Sequence, residues 1–307
     1  MSDFIVTTDS GADLPIALMK EHDIVPYLMQ YELDGKLYTD TMDPGDCHTF
    51  YEAMRKGAVP HTSQITTEQF IDFFAPLLEQ HKPLIHISLG SRVSGTFHNA
   101  ELARDELLKD FPDAKMYIID STLCSTGYGV LCLKADQLRK EGKTAEETVQ
   151  WIERYKINMQ PWYTTDELKY LRRSGRCSRV SAAIGGMLHI CPILNLDSEG
   201  HLIVQERVRG LNPTIKRIHK IIASELSDPD PSIADLVNPA NQTLYVCHSD
   251  VEEKARAFGE GIQKEFGFKD VYYAYIGTII GANCGPGLMA AFFFGNPRDM
   301  KGYTPQK

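Results

Sequence analysis

The sequence predicts two domains: an α/β N-terminal domain built on a doubly wound, mainly parallel sheet with a small β-ribbon insertion, and an α+β C-terminal domain with an antiparallel sheet. Three observations carry this expectation. Short apolar runs alternate with helical patterns through about residue 156, the rhythm of a parallel sheet covered on both faces. After Pro161 that rhythm gives way to local hairpins, which points to antiparallel pairing. A chain of 307 residues with 43% hydrophobic content is also long enough to bury more than one core. The boundary is expected near residues 157–162, dividing the chain into 1–160, with the ribbon at about 26–42, and 161–307, with a cleft between them.

Taken in order, Phe4-Ile5-Val6-Thr7-Thr8 reads as a buried strand, and Asp13 as the cap of a helix that starts at Pro15, where a missing N–H is harmless. Tyr31 to Tyr38 alternates around Asp34-Gly35, a strong hairpin signal. Asp43-Pro44 opens a helix through Arg55, and Thr66-Thr67-Glu68-Gln69 has the capping-box pattern of a helix ending near His81. Leu84–Ser88 and Met116–Ile119 are buried-type strands, and residues 144–156 form an amphipathic helix. In the second half, Ile193–Leu196 and His201–Gln205 flank an Asp197-Ser198-Glu199-Gly200 turn. A helix initiated at Pro213, the strand Leu244–Cys247 and a helix capped by Asp250 follow. Ser227–Asn241 reads as a surface loop, and 297–307 as a loose tail.

Composition excludes several functions. A net charge of −9 opposes non-specific binding to nucleic acid. No apolar run approaches the roughly 20 residues that span a bilayer, so no integral membrane protein is expected. Met1-Ser2-Asp3-Phe4 lacks the basic and long apolar regions of a secretion signal, so the expected location is the cytoplasm. Seven scattered cysteines, none spaced C-x-x-C, give neither a disulfide framework nor a zinc site. No clustered metal-ligand motif is present, and neither metal nor cofactor is expected.

Two glycine-punctuated segments stand out, Ser88 to Thr96 and Gly277 to Gly287. Each follows a strand-like run and is read as a loop leading into a possible helix start, where backbone N–H groups and hydroxyls would favour an anion. In the first, Ser94-Gly95-Thr96 is the expected anion contact, because Gly95 leaves the backbone open. Behind the second lies Leu288-Met289-Ala290-Ala291-Phe292-Phe293-Phe294, an apolar wall with no general base. An anionic head beside an apolar wall suits an amphiphile. Open α/β sheets bind ligands at the carboxyl ends of their strands, so the hydroxyls of Ser10 and Ser121, in two Asp-Ser pairs, are further candidates for lining the cleft. Neither glycine segment fits G-x-x-x-x-G-K-[ST] or G-x-G-x-x-G, and Gly90-Ser91-Arg92-Val93-Ser94-Gly95 misses the G-x-S-x-G spacing of a serine hydrolase. His98 and His248 read as surface or structural residues. Lys169, Arg172, Arg173, Arg176 and Arg179 form a basic run in an acidic chain, either a solvated face or a docking patch.

Several segments, in this order, resemble the signatures of the DegV family of bacterial fatty-acid-binding proteins. They are Asp9-Ser10-Gly11-Ala12-Asp13-Leu14-Pro15, Thr62-Ser63-Gln64, Ser94-Gly95-Thr96, Ile119-Asp120-Ser121, Leu171-Arg172-Arg173-Ser174-Gly175-Arg176 and Gly277 to Gly287. The likeness runs from about residue 3 to 295. It implies one long-chain fatty acid held between the domains, with Thr62 and Ser94 on its carboxylate, in a binding protein without catalysis of its own. Some members pass the acid to a separate ATP-dependent fatty acid kinase that forms the acyl phosphate. Arg176 and Arg209 match basic positions expected to dock that partner. Where the family commonly has His-Thr in the last segment, this chain has Asn283-Cys284; Asn can donate to a carboxylate but carries no charge. The site expected on these grounds is Thr62, Ser94, Gly95 and Asn283 at the head group, with Ser10, Ser63, Ser121, Leu288, Met289 and Phe292 lining the cleft. The alternatives are a sensor or carrier of another anionic amphiphile and a serine-dependent hydrolase.

Overall fold

The computed structural model describes residues 3–174 and 189–298. The first half runs β1 (Ile5–Asp9), α1 (Ile16–Glu21), β2 (Ile24–Tyr27), β3 (Gln30–Leu33), β4 (Lys36–Thr39), α2 (Pro44–Arg55), β5 (His61–Thr62), α3 (Thr67–Leu78), β6 (Leu84–Ser88), α4 (Thr96–Asp110), β7 (Met116–Asp120), α5 (Thr126–Lys140) and α6 (Ala145–Tyr155). Strands β2-β1-β6-β7 make a parallel sheet. Its buried residues alternate between faces: Val6, Ile85, Ile87 and Ile119 join the core beneath α5 and α6, whereas Ile5, Leu84 and Met116 join that beneath α2, α3 and α4. The sheet is therefore wound on both sides, as the continuous apolar runs predict. The ribbon forms around Asp34-Gly35, with φ of 50° and 75° at the turn, and gains β5 to become a three-stranded sheet.

Local signals fix most boundaries. Thr66 and Thr144 both make complete capping boxes, and Asp43 accepts from the Gly45 N–H at the start of α2; such caps are worth about 1 kcal/mol each. Two expected caps are absent. Asp13 sits in the left-handed region at φ 50° and Pro15 takes the cap position of α1, while Asp250, at φ 61°, bonds Arg55 and His48 instead. Helix α3 also stops at Leu78, short of His81.

A single 3₁₀ turn, Lys156–Asn158, leads into β8 (Met159–Thr165). Then come α7 (Leu168–Arg173), β9 (Ile190–Leu196), β10 (Leu202–Arg209), α8 (Leu211–Leu226), α9 (Ala234–Val237), β11 (Thr243–His248), α10 (Glu252–Phe266), β12 (Asp270–Tyr275), α11 (Thr278–Cys284) and β13 (Leu288–Phe294). Among the described residues the second sheet has the order β10-β9-β8-β13-β11-β12. It is mixed rather than purely antiparallel, because β11 and β12 pair in parallel across the α10 crossover. The 227–241 segment is not all loop, since it holds α9, and α8 starts at Leu211 ahead of Pro213. Gly277 to Gly287 is likewise not a loop: most of it is α11, and the element after it is the strand β13. Arg298, expected in a loose tail, is instead buried and donates to the Thr122 and Asp197 carbonyls, and the rest of that segment, 299–307, lies outside the described residues.

Helix α5 lies between the two sheets. Leu131 and Val130 share one continuous core with Val6 on one side and with Tyr163, Leu194 and Phe292 on the other. A Cβ on Gly127 would stand 3.1 Å from the Phe292 ring, so glycine lets the helix approach the second sheet. No helix among the described residues is long and apolar enough to cross a membrane.

Candidate functional site

The loops at the carboxyl ends of β6 and β7, together with Met29, β5, α11 and the inner face of the second sheet, line a cavity of about 100 Å³. Its polar end is made by Thr62, Ser63, Gln64, Ser94 and Asn283. Its apolar wall is made by Leu89 and Val93 from the first half and by Leu171, Leu194, Leu202, Ile280 and Leu288 from the second. Among the described residues no Asp, Glu, Lys, Arg or His lines it.

Thr62 is fixed by pairing with Tyr31 across β5 and β3. Ser94 stands just before α4, whose N-terminal cap is Gly95. The Ile65 N–H donates to Thr96 Oγ1 at 3.4 Å, and Thr96 Oγ1 lies 2.8 Å from Ser94 Oγ, which also accepts from the Thr96 N–H. With the Thr96 proton given to Ser94 Oγ, the Ser94 proton remains to be given into the cavity. The first N–H groups of the 15-residue α4 add a favourable potential for negative charge there. Gly95 has an ordinary helical φ of −75°; its missing side chain makes room for the Gln64 carboxamide, which a Cβ would strike. Asn283 donates one Nδ2 proton to the Ile279 carbonyl and accepts from Ser174 Oγ at 3.1 Å, which leaves its second amide proton to offer.

The helix carrying Asn283 is held from below. The Tyr51 hydroxyl donates to the Ile276 carbonyl at 2.6 Å, and the Gly277 N–H donates to Asp13 Oδ1 at 2.9 Å. Asp13 also accepts from Ser125 Oγ at 2.5 Å. Asp9 accepts from the Gly11 and Leu89 N–H groups and the Tyr128 hydroxyl, tying the loops after β1 and β6 together. Burial pushes the Asp9 carboxyl up to about 6 and raises those of Asp13 and Asp40, and among the described residues none of the three has an ion-pair partner. These carboxyls brace the site from outside the cavity.

Of the residues expected from the sequence, the structure gathers Thr62, Ser63, Ser94, Asn283 and Leu288 around the cavity, with Gly95 adjoining. Four do not line it. Ser10 Oγ accepts from the Met29 N–H, and Ser121 Oγ is tied to the Leu123 backbone, so both hydroxyls close loops. Met289 faces the core beneath α8 and α10, and Phe292 is buried against α5. Arg176 lies outside the described residues, as does Arg179, while Arg209 is exposed at the end of β10. Lys169 and Arg173 both stack on the Tyr170 ring. His98 is exposed beside Glu101, and His248 is buried against Tyr275. Sequence reasoning missed Gln64 as a site residue although it adjoins Ser63. It also missed Cys124 and Tyr163, 3.3 Å apart at the cavity wall, and Leu194 and Leu202, for which no local pattern exists.

A parallel-sheet half and a mixed-sheet half with a cavity of polar and aliphatic lining define a two-part α/β architecture. The family whose model matches residues 3–296 is described as "Uncharacterised protein, DegV family", and the chain belongs to it. A DegV domain-containing protein of Clostridium perfringens is 33% identical over 97% of this chain and all of its own length. The DegV protein of Bacillus subtilis is 28% identical over 92% of this chain and 96% of its own. Among solved structures, that of Bacillus subtilis DegV, described as a fatty acid binding protein, superposes with a TM-score of 0.81 at 26% identity and covers 96% of this chain and 100% of its own. A Thermus thermophilus DegV family protein, described by its fatty acid binding, gives 0.82 at 23% identity, covering 95% and 99%, and shares the fold.

Proposed function

We propose that this protein binds one long-chain fatty acid, its carboxylate at Thr62, Ser94 and Asn283 and its tail along the wall formed by Leu194, Leu202, Ile280 and Leu288. The observation that carries this is a cavity lined by neutral donors and by aliphatic side chains, together with Cys124, Ser125 and Tyr163, and by no charged residue among those described. Burying an acyl chain of around 16 carbons is worth about 0.8 kcal/mol per methylene, so the tail supplies the drive to leave water. A carboxylate then needs hydrogen bonds more than a buried counter-charge, whose desolvation is expensive. Fatty acid binding by the Bacillus subtilis relative supports the reading. The cavity of about 100 Å³ is smaller than ordinary ligand pockets of roughly 300–1,000 Å³, so the aliphatic walls part to admit the chain.

In this reading the protein is a cytoplasmic carrier without turnover of its own, presenting the carboxylate to an ATP-dependent kinase that docks through Arg176 and Arg209. Hydrolysis by Ser94 is disfavoured because no His or carboxylate among the described residues lines the cavity to serve as its base. Native mass spectrometry of protein purified from cells tests the proposal. A retained mass matching a long-chain acid is expected. Protein that stays empty and fails to take up added palmitate, oleate or stearate overturns it.

A further inference from the structure

A second and larger cleft, about 980 Å³, opens between the two halves and shares no lining residue with the acyl cavity. One wall comes from α5 and α6 and the other from β11 and β12, with Phe294 of β13 at its end. Aliphatic side chains such as Leu18, Val130, Leu133 and Leu236 share the walls with aromatic ones. Trp151 sits 4.9 Å from Tyr155 and edge-on to Phe294 at 6.0 Å, while Tyr245 and Tyr272, register partners on adjacent strands, lie 5.8 Å apart. Among the described residues the hydroxyls of Tyr245 and Tyr272 make no hydrogen bond, and both side chains are only half-buried, so they are open to a ligand in the cleft.

Among the described residues Lys134 is the one Lys or Arg that lines this cleft, and His22, which also lines it, is bonded to Asp136 at 2.7 Å. The Lys134 ammonium lies 5.0 Å from the centre of the Trp151 ring and donates to Gln137 Oε1 at 3.0 Å. Among the described residues no carboxylate stands within 4 Å of it. It is half-buried, and desolvation lowers its pKa, so an anion placed beside it would restore the interaction that burial removes. At the rim the exposed carboxylates of Asp235 and Asp270 accept hydrogen bonds but repel negative charge. Aromatic side chains for a flat ring, acceptors for neutral hydroxyls and one ammonium for one anionic group are the complement of a nucleoside monophosphate.

We propose that this cleft is a binding site for a nucleoside monophosphate or a similar flat heteroaromatic anion, its ring between Trp151 and the Tyr245–Tyr272 pair and its anionic group at Lys134. The proposal is independent of the acyl-binding reading. The chain has two tryptophans, and Trp162 is buried, so quenching of intrinsic fluorescence by a ligand in the cleft reports on the half-exposed Trp151. The full chain is titrated with AMP, adenosine and ribose 5-phosphate. AMP is expected to quench, adenosine to bind about tenfold more weakly for want of the ion pair, and ribose 5-phosphate to leave the emission unchanged. Lys134→Gln should abolish the preference for AMP over adenosine while leaving adenosine binding intact. The proposal is overturned if AMP neither quenches nor raises the melting temperature at millimolar concentration. It is equally overturned if adenosine binds as tightly as AMP, if ribose 5-phosphate competes, or if Lys134→Gln binds AMP as the wild type does.

Discussion

Replacing Ser94 by Ala removes one hydroxyl, and its consequences for binding and for folding separate cleanly. Ser94 Oγ has two duties, accepting from the Thr96 N–H and hydroxyl at 3.2 and 2.8 Å and, in the proposed complex, donating to the ligand carboxylate. The first belongs to the start of α4, and losing a side-chain acceptor at a helix start costs about 0.5–2 kcal/mol of stability. The second is a hydrogen bond to a charged acceptor, worth about 1.5–3 kcal/mol, or roughly 10-fold to 150-fold in Kd. Displacement of a fluorescent fatty acid measures the binding loss, and urea unfolding of the ligand-free protein measures the folding loss. The discriminating comparison is the methyl ester. It carries no charge, so wild type and Ser94→Ala should bind it with nearly the same affinity, and the penalty should appear for the free acid alone. Thr62→Ala should behave in the same way. If Ser94→Ala weakens acid and ester equally, the hydroxyl acts only by shaping α4. If it weakens neither, the carboxylate lies elsewhere and the head-group assignment is wrong.

Leu288→Trp should narrow the cavity and shorten the longest acid retained, read by mass spectrometry of extracted lipid, whereas Met289→Ala should leave that profile unchanged and lower stability by about 2–5 kcal/mol, because Met289 faces the helix-covered core. Asn283→His should raise acyl-phosphate formation by an added kinase if the family's His assists transfer; Arg209→Ala should slow it without altering lipid affinity, and a change in affinity instead would place Arg209 at the cavity. Asp9, its carboxyl pushed up to about 6 from 3.8 by burial, keeps in the folded chain a proton that the unfolded chain has released. Its contribution therefore falls as pH rises from about 4 to 6, by about 3 kcal/mol, and is level above that window. Urea midpoints for wild type and Asp9→Asn should show a difference that changes across this interval, and a pH-independent difference would refute the shift.

What could be read from the sequence divides according to how far away the physical cause lies. Thr66 and Gln69 form their capping box within one turn, and Asp34-Gly35 turns its own ribbon, so both are legible locally. Ser94 is legible in its own Ser-Gly-Thr segment, Thr62 and Asn283 only by their place in segments that resemble the family's, and the fold brings the three to one cavity. Strand β13 defeated the pattern because both its faces are buried: Leu288, Ala290 and Phe292 look toward α5 while Met289, Ala291 and Phe293 look toward α8 and α10, so no polar alternation marks which side a ligand could meet. Gly277 to Gly287 read as a loop because glycine disfavours helix. Gly281 nevertheless lies within the helix, and the position requires glycine because a Cβ there would strike the Tyr51 hydroxyl, which is held against the Ile276 carbonyl across 225 positions of sequence. Asp13 misled for the same reason, because its carboxylate accepts from Ser125 and Gly277 rather than from its own helix. In each case a residue suited to a local role serves a distant one, and those distant roles converge on the helix that carries Asn283. The residues least legible as secondary structure are thus the ones that seat the cavity between the two sheets.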